Sequence, residues 1–220
     1  MKNKIKIIIS IKILAAFYIL AISCSYNNKE SKLSTFTNNS KLRIDSTSHY
    51  IGEHFGDGVI FHLFIDSMGF EHGLIVAPSD ESKSEVWSNV SKLIGQNAQS
   101  SSDGLGNSNA IIQQIGHKKS AAALCLNSTR GAKTDWYLPS IEELKLLWKR
   151  HLIVNAALKK INGAEILKNL DEYYSSTEGN EYNYHGDSSS SAYYIVFQDD
   201  GDVREANKII TMKVRAIRSF

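Results

Sequence analysis

The sequence has few cysteines, only Cys24 and Cys125 in 220 residues, which excludes a small domain built on a disulfide framework. A domain without disulfides must be stabilised by its hydrophobic core. Cys125 lies in the apolar run Ala-Ala-Ala-Leu-Cys-Leu, and we predict a buried small hydrophobe there rather than a nucleophile. The hydrophobic content of 42% is ordinary for a soluble globular chain of one domain, or at most two small ones.

The chain also lacks a large excess of charge of either sign. It has 25 basic and 23 acidic residues, a net charge of +2. Residues 1–23 hold four lysines and no acid, so a chain without them carries 21 basic and 23 acidic residues, or −2. Nucleic-acid binding needs a basic footprint, and we therefore expect no nucleic-acid partner.

No apolar run is long enough for a spanning helix. The uninterrupted run 13–22 has about ten residues, whereas a span needs ~20. It follows Lys2, Lys4 and Lys6 and ends in Leu-Ala-Ile-Ser-Cys, the layout of a cleaved signal peptide. The last five residues resemble a bacterial lipobox, which implies acylation of Cys24. The alternatives are an ordinary signal peptide with a chance cysteine and an uncleaved anchor.

Three regions follow from this organisation: a signal peptide over 1–23, a lipidated Cys24 with a polar tether over 24–48, and a globular domain over 49–220. A flexible tether of this length spans roughly 25–30 Å. If Cys24 carries lipid, Cys125 has no disulfide partner within the chain. The expected location is the bacterial cell envelope, at the outer membrane or cell surface, with the membrane as one partner.

The globular region reads as strands, then helices, then strands, which predicts an α+β fold. We predict a hairpin of strands 59–65 and 73–77, and a helix over 110–126. Ser140 and Glu143 form a capping-box pattern at the start of a further helix, with a second helical stretch over 155–169. The remaining predicted elements are strands over 192–197 and 213–218. We expect 213–218 to pair with 59–65, which would join the two ends of the domain.

One polar segment, 177–191, is predicted to be an exposed loop. It concentrates tyrosines among polar residues, a composition common at binding surfaces. Tyr182, Tyr184 and His185 are the predicted ligand contacts, and the alternative is a surface loop without a ligand.

Neither metal nor catalytic signatures are present. The spacing of His54, His62 and His72 matches no zinc pattern. Asp200 and its neighbouring aspartates lack the glycine and final glutamate of an EF-hand loop. We predict no metal, no cofactor and no catalytic residues, so the protein is not expected to be an enzyme.

Five segments in order, residues 50–61, 72–80, 134–144, 174–178 and 214–220, resemble the Lcl C-terminal domain family. The resemblance implies a C-type lectin-like fold, related to formylglycine-generating-enzyme-like domains, with paired terminal strands, two or three helices and small antiparallel sheets. It also implies surface adhesion or ligand binding. Glycosaminoglycan binding is a property of the founding adhesin, but the acidic balance here argues against a heparin-like ligand. The chain departs from that adhesin in lacking a collagen-like stalk.

The expected function is therefore a surface-anchored, non-catalytic binding or adhesion lipoprotein with a glycan or protein ligand. One alternative is an enzyme of the formylglycine-generating type, whose paired cysteines Cys125 alone cannot supply. The other is a structural envelope component that assembles with itself as a homo-oligomer. A fold alone does not choose among these alternatives, because function resides in sites.

Overall fold

Local sequence signals account for most of the secondary structure in the computed structural model. The structure describes residues 48–184, 187–198 and 200–220, and within these it describes only the backbone of residues 180–184 and 187–190. The predicted signal peptide, Cys24 and the tether up to residue 47 lie outside the described residues. The strands are β1 His54–Phe55, β2 Gly58–Ile65, β3 Glu71–Val76, β4 Ser82–Val86, β5 Glu172–Tyr184, β6 Asp187–Val196, β7 Asp202–Asn207, β8 Thr211–Val214 and β9 Ile217–Ser219; the helices are α1 Gly104–Gln113, α2 Ala121–Leu126 and α3 Ile141–Leu158.

The fold is α+β, as the order of sequence patterns predicts. One sheet has the strand order β1-β2-β3-β9, and the other has the order β4-β8-β5-β6-β7. The first sheet is antiparallel throughout. The second sheet contains one parallel pair, β5 with β8, joined at Tyr173 and Lys213. The expectation of small antiparallel sheets therefore holds except at this pair.

The predicted hairpin near the start of the domain is confirmed, but the predicted partner of the last strand is wrong. β2 pairs with β3, whereas β9 pairs with β3 rather than with β2. The segment 213–218 is also not one strand, because β8 belongs to the second sheet and β9 to the first. Arg215 lies between them, fully buried, and donates to the carbonyl of Ala77 and to Asp80 at 2.9 and 2.6 Å. These bonds hold the chain where it passes from one sheet to the other.

The predicted loop 177–191 is wrong as well. Most of it belongs to the long β5–β6 hairpin, in which Glu178 pairs with Ala192 and Glu181 pairs with Ser190. Thr177 and Ser191 are buried in it rather than exposed. Polar side chains are tolerated there because the strand ladder and side-chain partners satisfy their hydrogen bonds.

The helices differ from prediction at their ends. The helix predicted over 110–126 is two helices, because Gly116 adopts φ +89° between them and Ser120 caps the start of α2 by accepting from the amide of Ala123. The capping box of Ser140 and Glu143 is confirmed at the start of α3. α3 continues to Leu158, so the separate helical stretch over 155–169 is wrong beyond that residue.

Two groups of buried residues form the core. The first group contains, among others, Ile60, Ile75, Trp87, Ile111, Cys125, Trp136, Tyr174 and Val214. The second joins α3 to β2 and β6 and contains Phe61, Leu144, Leu147, Val154, Tyr173 and Ile195. Cys125 is fully buried, as predicted, and burial raises the pKa of its thiol well above the ordinary value.

Candidate functional site

The predicted ligand contacts lie at the far end of the β5–β6 hairpin. The backbone of Tyr182 pairs with Ser189, and that of Tyr184 pairs with Asp187. His185 lies outside the described residues. Two of the three predicted positions are therefore strand residues, and their role in binding stays a prediction.

The base of the same hairpin carries a buried ion pair. The ammonium group of Lys208 donates to Glu178 Oε1, and both side chains are fully buried. Lys208 Nζ also donates to the carbonyl of Lys92 at 2.9 Å and lies 4.5 Å from the centre of the Trp87 ring. Burial lowers the pKa of Lys208, and the adjacent Glu178 carboxylate opposes that shift.

Glu178 fixes the position of a neighbouring loop. Its carboxylate accepts hydrogen bonds from the backbone amides of Ile94 at 2.8 Å and Gly95 at 2.7 Å. The loop is held a second time where the side-chain amide of Gln99 donates to the carbonyl of Gly179 at 3.3 Å. The segment that begins at Ile94 is therefore attached rigidly to the base of the β5–β6 hairpin.

This loop and α1 form the two walls of a groove of about 680 Å³, which we name the amide groove. Most of its lining side chains are polar and uncharged, and a few aliphatic side chains flank them. The lining residues are Leu93, Ile94, Gln96, Asn97, Ser100, Asp103, Gly106, Asn107, Asn109, Ala110, Gln113, Gln114 and Ile115.

The position of α1 against the loop follows from its first residues. Asp103 caps the helix, and its Oδ1 accepts from the amide of Gly106 at 2.8 Å. Asn107 is buried and bonds the backbone of Ser100 twice, accepting at 3.1 Å and donating at 2.7 Å. Gly104 has no room for a side chain, since a Cβ there would lie 2.6 Å from the backbone nitrogen of Ser140. These contacts make the floor of the groove rigid.

The groove contains amide groups that are available to a ligand. Among the described residues, the side-chain amides of Gln96, Asn97, Asn109 and Gln113 form no hydrogen bond within the protein. Gln114 is held in place, because its Nε2 donates to the carbonyl of Lys92 at 2.8 Å, while its Oε1 has no partner. A free carboxamide offers one acceptor and two donors in a fixed plane. The groove can therefore exchange several neutral hydrogen bonds with one ligand.

Sequence reasoning missed this site. The segment 79–109 is polar and has few apolar residues, and no spacing within it indicates a groove. A signal is nevertheless present, because carboxamides cluster on both sides of Asp103, at residues 96–99 and 107–114. What the sequence does not reveal is that α1 turns the second cluster to face the first.

The histidines considered for a metal site are used otherwise. The His62 and His72 rings both stack near Phe64, with centroids 5.8 and 5.3 Å from it, and His72 Nε2 lies 3.1 Å from Asp66 Oδ2. Within residues 48–184, 187–198 and 200–220, no group of three His, Cys, Asp or Glu side chains is arranged to hold a metal ion. Over that same part of the chain, no helix combines the length and apolarity needed to cross a bilayer.

Comparison with known proteins gives no assignment. The chain matches no protein-family model and no curated protein sequence.

Proposed function

We propose that this protein is a lipid-anchored, non-catalytic binding protein of the bacterial envelope that holds a neutral glycan in the amide groove. The observation that carries the proposal is the set of unpaired carboxamides, Gln96, Asn97, Asn109 and Gln113, along one rigid groove. Sugar hydroxyls both donate and accept hydrogen bonds, and carboxamides match them in both roles.

The flanking side chains suit the same ligand class. Ile115, two residues beyond the end of α1, is 97% exposed, and Leu93 lies on the opposite wall. Such side chains can cover the C–H faces of a sugar ring while the amides bond its hydroxyls. Asp103 is the single charged residue of the lining, and its carboxylate disfavours sulfated or other anionic glycans. A neutral glycan is therefore the ligand class that the groove supports best.

The buried thiol argues against one alternative, an enzyme of the formylglycine-generating type. An enzyme of the formylglycine-generating type would need accessible paired cysteines, and Cys125 is fully buried with a raised thiol pKa. Membership of the Lcl C-terminal domain family, supported by the five ordered sequence segments, is part of the same proposal.

Attachment to the envelope rests on the first 24 residues. Expression in a host that processes lipoproteins should yield acylated protein in the detergent phase, whereas Cys24→Ala should stay in the aqueous phase. Equal partitioning of both forms, with no acyl mass on Cys24, would overturn the lipoprotein assignment.

The ligand is tested by binding of the detergent-solubilised full chain to an array of neutral and anionic glycans. The double variant Asn97→Ala/Gln113→Ala should weaken binding by at least about tenfold, equivalent to ~1.4 kcal/mol. Asn162→Ala removes an exposed amide that does not line the groove and serves as the matched control. Binding that is restricted to anionic glycans, or that survives the double variant unchanged, would contradict the proposal. A triple variant of Tyr182, Tyr184 and His185 to Ala tests the predicted hairpin contacts separately.

A further inference from the structure

The β2–β3 hairpin ends in a group of solvent-exposed apolar side chains. Phe64 and Ile65 at the end of β2 are 48% and 38% exposed, and Met68 and Phe70 in the turn are 75% and 62% exposed. We name these four residues the hairpin tip. Phe64 and Ile65 are consecutive in β2, so their side chains point to opposite faces of the hairpin and its end presents apolar surface on both sides.

Four backbone amides of this turn are hydrogen-bonded within it. Asp66 Oδ1 accepts from the amides of Met68 and Phe70, each at 2.9 Å, and the amide of Gly69 donates to the Asp66 carbonyl at 3.0 Å. The amide of Asp66 in turn donates to the carbonyl of Phe70 at 2.9 Å. Unpaired amides are costly in an apolar medium, so a turn with bonded amides enters such a medium at lower cost.

The chain enters the domain beside the hairpin tip. The hydroxyl of Ser48 donates to Glu71 Oε1 at 3.2 Å, and Glu71 directly follows Phe70. His49 is fixed in place by the rings of Phe55 and Phe220, with centroids 4.2 and 5.4 Å away. Ser48 and His49, the first described residues of the domain, therefore lie on the side of the molecule that carries the tip.

We propose that the hairpin tip inserts into the interface of the same bilayer that holds the acyl chains of Cys24, so that the domain touches the membrane at a second point. This inference rests on the proposed lipidation. The sequence predicts a tether over the 23 residues from 25 to 47, and a flexible chain of that length has a root-mean-square span of roughly 25–30 Å. A lipid anchor joined to the domain by a tether of that length keeps the tip at a high effective concentration near the bilayer. The insertion of a few apolar side chains is then sufficient to hold the tip in the membrane interface.

The charges around the tip specify the kind of contact. Residues 59–82 contain no lysine or arginine, while Asp66 and Glu71 flank the turn. The hairpin itself therefore contributes no cation to the contact, and its apolar insertion should occur on zwitterionic phosphatidylcholine.

A spin label at Met68→Cys in the acylated full chain, reconstituted into phosphatidylcholine vesicles, tests the inference. Labelling is selective, since Cys24 is acylated and Cys125 is buried. The matched control is a label at Ile115→Cys, an exposed position at the end of α1. In the membrane interface, a spin label collides more often with oxygen than with a water-soluble nickel complex. We expect this excess of oxygen collisions for the label at position 68 and not for the label at position 115. Adding Phe70→Asp should return the label at 68 to water.

The outcomes separate this inference from the lipoprotein assignment. An acylated chain whose label at 68 stays water-accessible, or matches the label at 115, overturns the insertion alone. So does a label that remains in lipid when Phe70→Asp is present. A chain that carries no acyl group on Cys24 by mass spectrometry overturns both the insertion and the anchor.

Discussion

The ammonium group of Lys208 donates to Glu178 Oε1 in the interior of the protein, where neither side chain has any solvent exposure. The two residues are 30 positions apart, and Glu178 additionally accepts from the amides of Ile94 and Gly95. The pair therefore connects the β5–β6 hairpin, the β7–β8 connection and one wall of the amide groove.

Lys208→Met should reduce the free energy of unfolding by about 3–5 kcal/mol, because it leaves the Glu178 carboxylate buried without its cation. Urea denaturation measures the change. The control is Lys83→Met, which breaks an ion pair with Glu165 whose lysine side chain is 72% exposed. This loss should be much smaller, because solvent screens an exposed ion pair. Similar small losses in both variants would show that the buried pair is not a structural link.

Ser140→Ala should reduce the free energy of unfolding by about 0.5–2 kcal/mol through loss of the N-cap of α3. Ser140 Oγ accepts from the amide of Glu143 at 3.4 Å, and Glu143 Oε2 accepts from the amide of Ser140 at 2.7 Å. Ser102→Ala, at an exposed serine outside the helix, is the control and should leave chemical denaturation unchanged. An equal effect of the two substitutions would count against the capping contribution.

Deleting residues 213–220 should unfold the whole domain rather than shorten a frayed end. The deletion removes β9 from the edge of β3 and also removes Arg215, which donates to Asp80, Ala77 and Glu165. Circular dichroism should show loss of the cooperative melt. For comparison, replacing residues 183–188 with Asn-Gly shortens the β5–β6 hairpin and should leave the melting temperature nearly unchanged. A truncated chain that still melts cooperatively would contradict this role of the last strand.

Stability should fall steeply above pH 10. Burial raises the pKa of Tyr137, Tyr173 and Tyr174 above the ordinary value for tyrosine, and the Glu143 carboxylate adds to the shift at Tyr137. The folded state therefore favours the neutral phenols, so this contribution to stability is complete below the unfolded pKa of about 10 and is lost as the pH rises.

Absorbance at 295 nm, which reports phenolate, should rise together with loss of circular dichroism at alkaline pH. In the variant Tyr173→Phe, the fall in unfolding free energy above pH 10 should be shallower by up to ~1.4 kcal/mol per pH unit, corresponding to one proton. Ionisation of these three tyrosines while the fold persists would disprove the expectation.

Features that depend on neighbouring residues were determined by the sequence. Ser140 and Glu143 are three positions apart, so the capping box forms from the start of one helix alone. The β2–β3 hairpin closes through a short turn capped by Asp66, and its pairing needs no distant partner. The burial of Cys125 follows from its apolar surroundings in the chain. The energy of the capping box and of the hairpin turn comes from contacts that are close in sequence, whereas Cys125 is buried against core residues from distant parts of the chain.

Features that depend on distant partners were decided by the tertiary structure. The segment 213–218 divides between two sheets because β8 pairs with β4 and β5. Arg215, which follows β8, binds Asp80, a residue 135 positions earlier in the chain. Glu178 is tolerated in the interior because Lys208 neutralises its charge from across the fold. The amide groove exists because Glu178 and Asn107 hold one loop against α1. Local propensity does not encode such pairings, since a charged or polar side chain becomes stable in the interior only when the whole fold brings its partner to it.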